Sequence, residues 1–153
     1  MLVSFFLLSF FCFCRYEDNF DAVNNIEVII KQGGSMGSPQ EFLNQISYLL
    51  GESSTQGVES KSEGGFAPNK VAAASVLSAG TRQDSAGKTY NVYELLTRTA
   101  DGNEGGRHHL IAATTSKGNL YIFRAQAGDK RWIGVGKGVR DECIGAWESF
   151  TVA

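Results

Sequence analysis

Short runs of branched and aromatic residues, separated by turns rich in glycine, predict a chain built mainly of β-strands. Because β-branched and aromatic side chains suit a pleated, half-buried surface, five runs are predicted as strands: residues 25–31, 71–77, 88–99, 110–114 and 120–123. The last two flank the sequence Ser-Lys-Gly-Asn, in which Gly118 can adopt the positive φ that a short hairpin turn needs. The hairpin brings its two outer ends, residues 101–109 and 127–132, to the same edge of the molecule. Both ends are predicted as polar loops.

Two stretches carry the spacing of an amphipathic helix. Ser38 is a predicted N-cap, Pro39 takes the first helical position, and Glu41 completes a capping box. An apolar stripe follows this cap at Phe42, Ile46, Leu49 and Leu50, and Gly51 is placed to end the helix. A second stripe within residues 137–147 predicts a helix that begins near residue 139, with apolar positions at Val139, Cys143, Ala146 and Trp147.

The order of these elements predicts an α+β fold, in which an antiparallel β-sheet is flanked by helices, since regular βαβ alternation is absent. Residues 52–69 are mostly polar and are predicted as a long surface loop.

Residues 1–14, MLVSFFLLSFFCFC, form an atypical apolar N-terminal segment ahead of a domain spanning residues 15–153. As a helix the segment is shorter than the ~20 residues that cross a bilayer, and it lacks the basic start and cleavage site of a signal peptide. We interpret it as a truncated or misassigned start; the alternative is a genuine hydrophobic strand or anchor.

Composition narrows the class of protein. With 153 residues, 42% hydrophobic and 20% charged, the chain is typical of one soluble globular domain. A net charge of −2 argues against nucleic acid as a partner. Basic residues nevertheless crowd the last third, and a local basic face on a weakly acidic protein suits docking to an acidic partner. The alternative is an ordinary solvated charged surface.

Candidate chemistry is concentrated at the hairpin ends. His108 and Asp129, with Asp101 and Glu104 as weaker members, present an imidazole and carboxylates that suit Zn²⁺ or Mn²⁺, while carboxylates alone suit Ca²⁺. The alternative is that the carboxylates pair with neighbouring cations or cap loops. The glycine-rich residues 134–138 lack P-loop spacing, and G-x-S-x-G, H-E-x-x-H and C-x-x-C are absent. Three cysteines give no disulfide framework, and a buried free thiol is expected at Cys143. The alternative is a hydrolase-type nucleophile at Cys143, paired with His109 or with His108.

Several separated motifs resemble the PsbP family, and they occur in the same order. They are RYEDNFDA (15–22), EFL (41–43), YLLG (48–51), SEGGF (62–66), LTRTADG (96–102), EGG (104–106), His108, LIAAT (110–114) and AQAGDKRW (125–132). The resemblance covers residues 15–153 and implies an α/β/α sandwich. The family's N-terminal strands and transit peptide are not recognisable, so the chain is expected to lack them.

The resemblance also implies a function. PsbP proteins are extrinsic lumenal subunits of the photosystem II oxygen-evolving complex, and they help to retain Ca²⁺ and Cl⁻ at its manganese cluster. A non-catalytic protein peripheral to the thylakoid membrane in the chloroplast lumen is therefore expected, with photosystem II and its other extrinsic subunits as partners and no tightly bound cofactor. The alternative is a PsbP-like assembly or repair factor, or a manganese carrier.

Family members use basic residues for docking and are thought to bind Mn²⁺ or Zn²⁺ at the positions of His108 and Asp129. The docking residues expected here are Arg107, Lys130, Arg131, Lys137 and Arg140. Beyond Trp132 the chain is longer and less lysine-rich than the family pattern.

Overall fold

One antiparallel sheet of seven strands organises the chain. The computed structural model describes residues 2–8, 11–19, 21, 23–46, 71–99, 106–134 and 138–153. The strands are β1 (Leu2–Leu8), β2 (Phe11–Glu17), β3 (Asn25–Gln32), β4 (Val71–Gln83), β5 (Thr89–Thr99), β6 (Gly106–Ser116) and β7 (Asn119–Gly128). Their order across the sheet is β1-β2-β3-β7-β6-β5-β4, and every neighbouring pair is antiparallel. The central pair, β6 and β7, is the predicted hairpin.

Helices cover both faces of the sheet. They are α1 (Pro39–Gln45), α2 (Asp129–Trp132) and α3 (Arg140–Ser149). On one face, Phe42, Leu43 and Ile46 from the α1 region pack with residues such as Ile111 and Ile122. On the other face, Trp132 and Cys143 pack with Leu110, Ala112 and Phe123. Because successive strand residues alternate between faces, β6 and β7 supply both cores. The predicted α/β/α sandwich is confirmed.

The predicted start of the first helix is confirmed in detail. The Ser38 hydroxyl accepts from the Glu41 backbone N–H at 3.3 Å, and a Glu41 carboxylate oxygen accepts from the Ser38 N–H at 2.9 Å. This reciprocal capping box satisfies donors that a helix N-terminus otherwise leaves unpaired. Leu49, Leu50 and Gly51, predicted to continue and end this helix, lie outside the described residues. The second predicted helix is α3, and its N-cap is Val139 as expected.

The structure differs from the sequence predictions in two places near the site. Residues 106–109 belong to β6 rather than to a loop, because β5 and β7 pair with both sides of this segment. Residues 129–132 form the short helix α2, which is too short to show a helical period in sequence. Within the apolar N-terminal segment, β1 and the first residues of β2 are strands of the sheet, which agrees with the alternative of a hydrophobic strand. That the family's own N-terminal strands are lacking stays a prediction. β2 pairs with β3 along Phe11–Glu17, on both sides of residue 14, and the division of the chain at that residue stays a prediction.

No helix in the described part of the chain is long and apolar enough to cross a membrane.

Candidate functional site

The β6–β7 hairpin brings its two ends together, as predicted. Its two-residue turn places Lys117 at φ 50° and Gly118 at φ 77°, the left-handed geometry that matches the twist of the strands. The register then sets Arg107 opposite Gly128 and His108 opposite Ala127. As a result, α2, which starts directly after β7, lies beside the first residues of β6.

His108, Asp129 and Trp132 form a compact cluster at this edge. His108 Nε2 lies 2.7 Å from Asp129 Oδ1, and the other carboxylate oxygen accepts the Gly106 N–H at 2.7 Å. The His108 imidazole stacks on the Trp132 indole, with ring centroids 4.6 Å apart and planes 4° from parallel. The hydrogen bond from Gly106, with that from His108, holds the pKa of Asp129 below its ordinary value. The cluster therefore ties the start of α2 to the start of β6.

Gly106 is required at this contact by close approach. A Cβ at this position would lie 2.7 Å from Leu96 Cδ1 and 3.1 Å from both Asp129 carboxylate oxygens. A side chain here would therefore push the Asp129 carboxylate away from its two partners.

The predicted docking residues occupy different positions around this edge. Arg107 is half-buried and lies on the α1 face of β6, whereas His108 lies on the α3 face because neighbouring strand residues alternate. Arg131 Nη2 binds Asp18 Oδ2 at 2.9 Å. Lys130 and Arg140 are exposed, and Arg140 lies 3.7 Å from Asp141. Lys137 lies outside the described residues.

The metal site predicted at His108 and Asp129 requires side chains that are free to act as metal ligands. The structure brings these two side chains together, but as a direct hydrogen bond, and the second Asp129 oxygen is already engaged by Gly106. In the described ranges, three His, Cys, Asp or Glu side chains do not converge anywhere. Asp101 and Glu104 lie outside those ranges. The described residues thus supply two potential metal ligands, which are hydrogen-bonded to each other. Metal binding stays a prediction.

Cys143 does not have the properties of a nucleophile. It is a free, buried thiol in the α3-face core, and burial raises its pKa to about 11, so the thiol stays protonated at neutral pH. His109, its proposed partner, lies on the opposite face of β6, where its Nε2 is 2.9 Å from Thr97 Oγ1.

Sequence reasoning missed three residues that shape this region. Trp132 matched the family pattern but carried no predicted role, and it supplies the aromatic wall behind His108. Asp18 lies 113 positions before its partner Arg131, so no local spacing could indicate the pair. Asn24 accepts the Gly128 N–H at 3.1 Å through its side-chain oxygen and joins the β2–β3 turn to the end of β7.

Comparison with known proteins identifies the family. The PsbP family model matches residues 13–152. The chain belongs to the PsbP family. The solution structure of cyanobacterial PsbP (CyanoP) from Synechocystis sp. PCC 6803 has a TM-score of 0.58 to this chain. The sequences are 18% identical, and the match covers 97% of this chain and 85% of that chain. At this identity the likeness concerns the fold. Within this PsbP-family fold, the His108–Asp129–Trp132 cluster lies at the edge where α2 joins β7 to β6.

Proposed function

We propose that this PsbP-family chain is an extrinsic subunit of the photosystem II oxygen-evolving complex, docked on the lumenal face of the thylakoid membrane. It contacts lumenal subunits and other extrinsic subunits, and it helps to retain Ca²⁺ and Cl⁻ at the manganese cluster during water oxidation. The observation that carries the proposal is the family match over residues 13–152. The chloroplast thylakoid lumen is the location that we propose with this role, and the same family match supports it.

The geometry supports a docking role for the edge around α2. Lys130 and Arg140 are exposed there, so their charges are available to an acidic surface. The hydrogen bonds that Asp129 accepts from His108 and Gly106 fix α2 on β6, and the Arg131–Asp18 ion pair fixes it to the β2–β3 turn. Because a preorganised contact loses less conformational entropy on binding, these ties favour association.

The proposed role is not enzymatic. The buried Cys143 thiol stays protonated, and the imidazole of His109 is enclosed on the other face of the sheet. Docking would act on the manganese cluster by occupying the surface around it and limiting exchange of its ions with the lumen. No redox step is assigned to any residue of this chain.

Release and reconstitution test this proposal. Photosystem II membranes stripped of extrinsic subunits are incubated with the purified protein, and oxygen evolution is measured at low Ca²⁺ and Cl⁻. We expect the wild-type chain to restore activity, and we expect Lys130→Gln and Arg140→Gln to weaken binding about threefold to tenfold, more at low salt than at high salt. Lys117→Gln is the matched control, since Lys117 is exposed at the opposite end of the hairpin. If the wild-type protein binds but oxygen evolution at low Ca²⁺ and Cl⁻ does not recover, the ion-retention role is wrong.

A second candidate function is an assembly or repair factor, or a manganese carrier. The observation that favours it is that the hairpin brings His108 and Asp129 together at a partly exposed edge. To hold a metal ion, the two side chains would have to give up the 2.7 Å hydrogen bond between Nε2 and Oδ1. Calorimetric titration with Mn²⁺ and Zn²⁺ tests it, with His108→Ala and Asp129→Ala as controls. If both variants bind the metal ion as the wild type does, these residues are not its ligands. In a separate experiment, association of the protein with assembly intermediates of photosystem II alone would favour the assembly factor over the subunit.

A further inference from the structure

β4 is the last strand of the sheet, and its outer side is open. β5 pairs with its inner side along Val71–Gln83, and no strand of the described residues pairs with its outer side. Five consecutive residues, Ser75–Ala79, are exposed, so neither face of the sheet is covered there. Val76 and Leu77 are 54% and 51% exposed, although both are apolar. Because an edge strand leaves alternate N–H and C=O groups unpaired, the outer side of β4 is able to accept another strand.

β4 lacks the charges that keep most sheet edges from pairing. Natural edge strands are protected by charged side chains, by proline or by a β-bulge. Residues 71–81 contain no charged residue and no proline. The first cation of the strand, Arg82, is turned inward, where it donates to the Phe150 carbonyl at 2.6 Å and lies 4.4 Å from the centre of the Tyr90 ring. Its charge therefore serves the packing of this chain and does not guard the edge.

The run from Ser78 to Gln83 is the regular part of β4. A β-bulge lies just before it, between Val76 and Ser78, and the ladder with β5 is uninterrupted afterwards. Gly80 lies within this run, yet its φ is not positive and a Cβ there would meet no atom within 4 Å. Neither conformation nor packing within the chain therefore requires glycine at this position. A glycine inside a strand often marks a place where another backbone approaches closely.

We propose that β4 pairs antiparallel with β4 of a second copy of this chain, about a two-fold axis at Gly80, so that the two sheets join into one. In this register Gly80 faces Gly80 of the second copy, Ala79 faces Thr81, and Ser78 faces Arg82. Residues on the same face of both sheets meet, as strand pairing requires. The two Arg82 residues lie at opposite ends of the pair, so like charges are not directly opposite one another.

The same observations favour a second copy over another occupant. A partner with a charged surface would find no opposite charge over residues 71–81. A flexible peptide would lose conformational entropy on pairing, whereas β4 is already held extended by β5. Two-fold pairing uses the open side of β4 in both copies and therefore stops at a dimer. The inference is separate from the proposed docking role, because β4 lies two strands away from β6, on which α2 is fixed.

Sedimentation equilibrium tests whether the dimer forms. We expect reversible dimerisation with a Kd on the order of 100 µM, because one strand pair buries less area than a standard interface. Gly80→Lys should weaken it at least about tenfold, since two ammonium groups would meet at the two-fold axis. Gly145→Lys is the matched control: Gly145 is also in open space, but it is exposed on α3, and dimerisation should be unchanged. A wild type that stays monomeric up to about 1 mM, or that grows beyond two copies, overturns the proposal.

Hydrogen exchange locates the interface and needs only the wild-type protein. Amide exchange is followed by NMR at protein concentrations below and above the Kd. We expect alternate N–H groups of β4 to exchange severalfold more slowly at the higher concentration, and those of β1, at the other end of the sheet, to be unchanged. A dimer without protection of β4 overturns the assignment of this edge. Protection of β4 that appears only on photosystem II membranes, in a protein that is monomeric in solution, overturns the second copy as the occupant.

Discussion

His109 makes the stability of this protein depend on pH well above the range in which carboxylates titrate. The side chain is fully buried, with Nε2 2.9 Å from Thr97 Oγ1 and with Nδ1 lacking a hydrogen-bond partner in the described part of the chain. Burial, reinforced by the positive charges of Arg124 and Arg107, lowers its pKa from 6.5 to about 3. The native protein therefore keeps this imidazole neutral where an unfolded chain would protonate it.

The sign and size of the effect follow from proton linkage. As pH falls below 6.5 the unfolded state takes up a proton that the native state refuses, so the free energy of unfolding decreases until the folded pKa is reached. The limiting slope is about 1.4 kcal/mol per pH unit, and the loss between about pH 7 and about pH 5 is roughly 2 kcal/mol. The folded pKa values of Asp129, Asp84 and Glu41 lie below their ordinary values of 3.8, 3.8 and 4.5, so the stability that these carboxylates contribute is lost mainly below pH 5.

Urea unfolding at the two pH values measures this loss. We expect the free energy of unfolding of the wild type to fall by roughly 2 kcal/mol more than that of His109→Gln, in which an amide replaces the titrating ring. Glutamine retains a group that can hydrogen-bond to Thr97, and any destabilisation common to both pH values cancels in the comparison. If both proteins lose the same amount of stability on acidification, His109 does not carry the effect and the reasoning from burial is wrong.

Three further substitutions test individual contacts. Ser38→Ala should lower the free energy of unfolding by about 1 kcal/mol in urea denaturation, since it removes the helix cap; a change no larger than that of the exposed Ser35→Ala would contradict the capping box. Asp129→Ala should lower the free energy of unfolding by about 1–2 kcal/mol, because His108 and the Gly106 N–H lose their hydrogen-bond acceptor. It should also alter the near-ultraviolet circular dichroism of Trp132, and an unchanged spectrum would argue against the cluster. Gly118→Ala should lower the thermal midpoint by several degrees through strain at φ 77°, and an unchanged midpoint would contradict the turn geometry.

The elements that could be predicted are those whose signals are local. The hairpin turn depends on Gly118 and the capping box on Ser38 and Glu41, and each lies within a few residues of the group it serves. The meeting of His108 and Asp129 also followed from local information, because a two-residue turn fixes the register of the whole hairpin. Whether the two side chains bind a metal ion or form a hydrogen bond with each other depends on which further ligands lie nearby. The sequence alone does not show where those ligands lie in the fold.

The residues that escaped prediction act across the sheet. β6 is buried on both faces, so its sequence lacks the alternation that separates a core side from a solvent side, and His109 could not be assigned to the interior. Asp18 and Asn24 reach Arg131 and Gly128 over more than a hundred positions. Such contacts exist only because β3 pairs with β7, and that pairing follows from the sheet order rather than from any local pattern.

A buried ion pair fixes this pairing and thereby the site. Glu27 on β3 and Arg124 on β7 are direct register partners and form an ion pair in which both side chains are almost fully buried. A slip of one residue would move Glu27 to the opposite face and leave Arg124 buried without it, and breaking such a pair is strongly destabilising. The same register places Asn25 opposite Gln126, and therefore Asn24 beside Gly128. The contact between Asn24 and Gly128 is thus positioned by an ion pair on the face of the sheet that packs against α1. This contact should therefore be unchanged when exposed cations such as Lys130 are substituted. Those cations can accordingly be tested for docking one at a time.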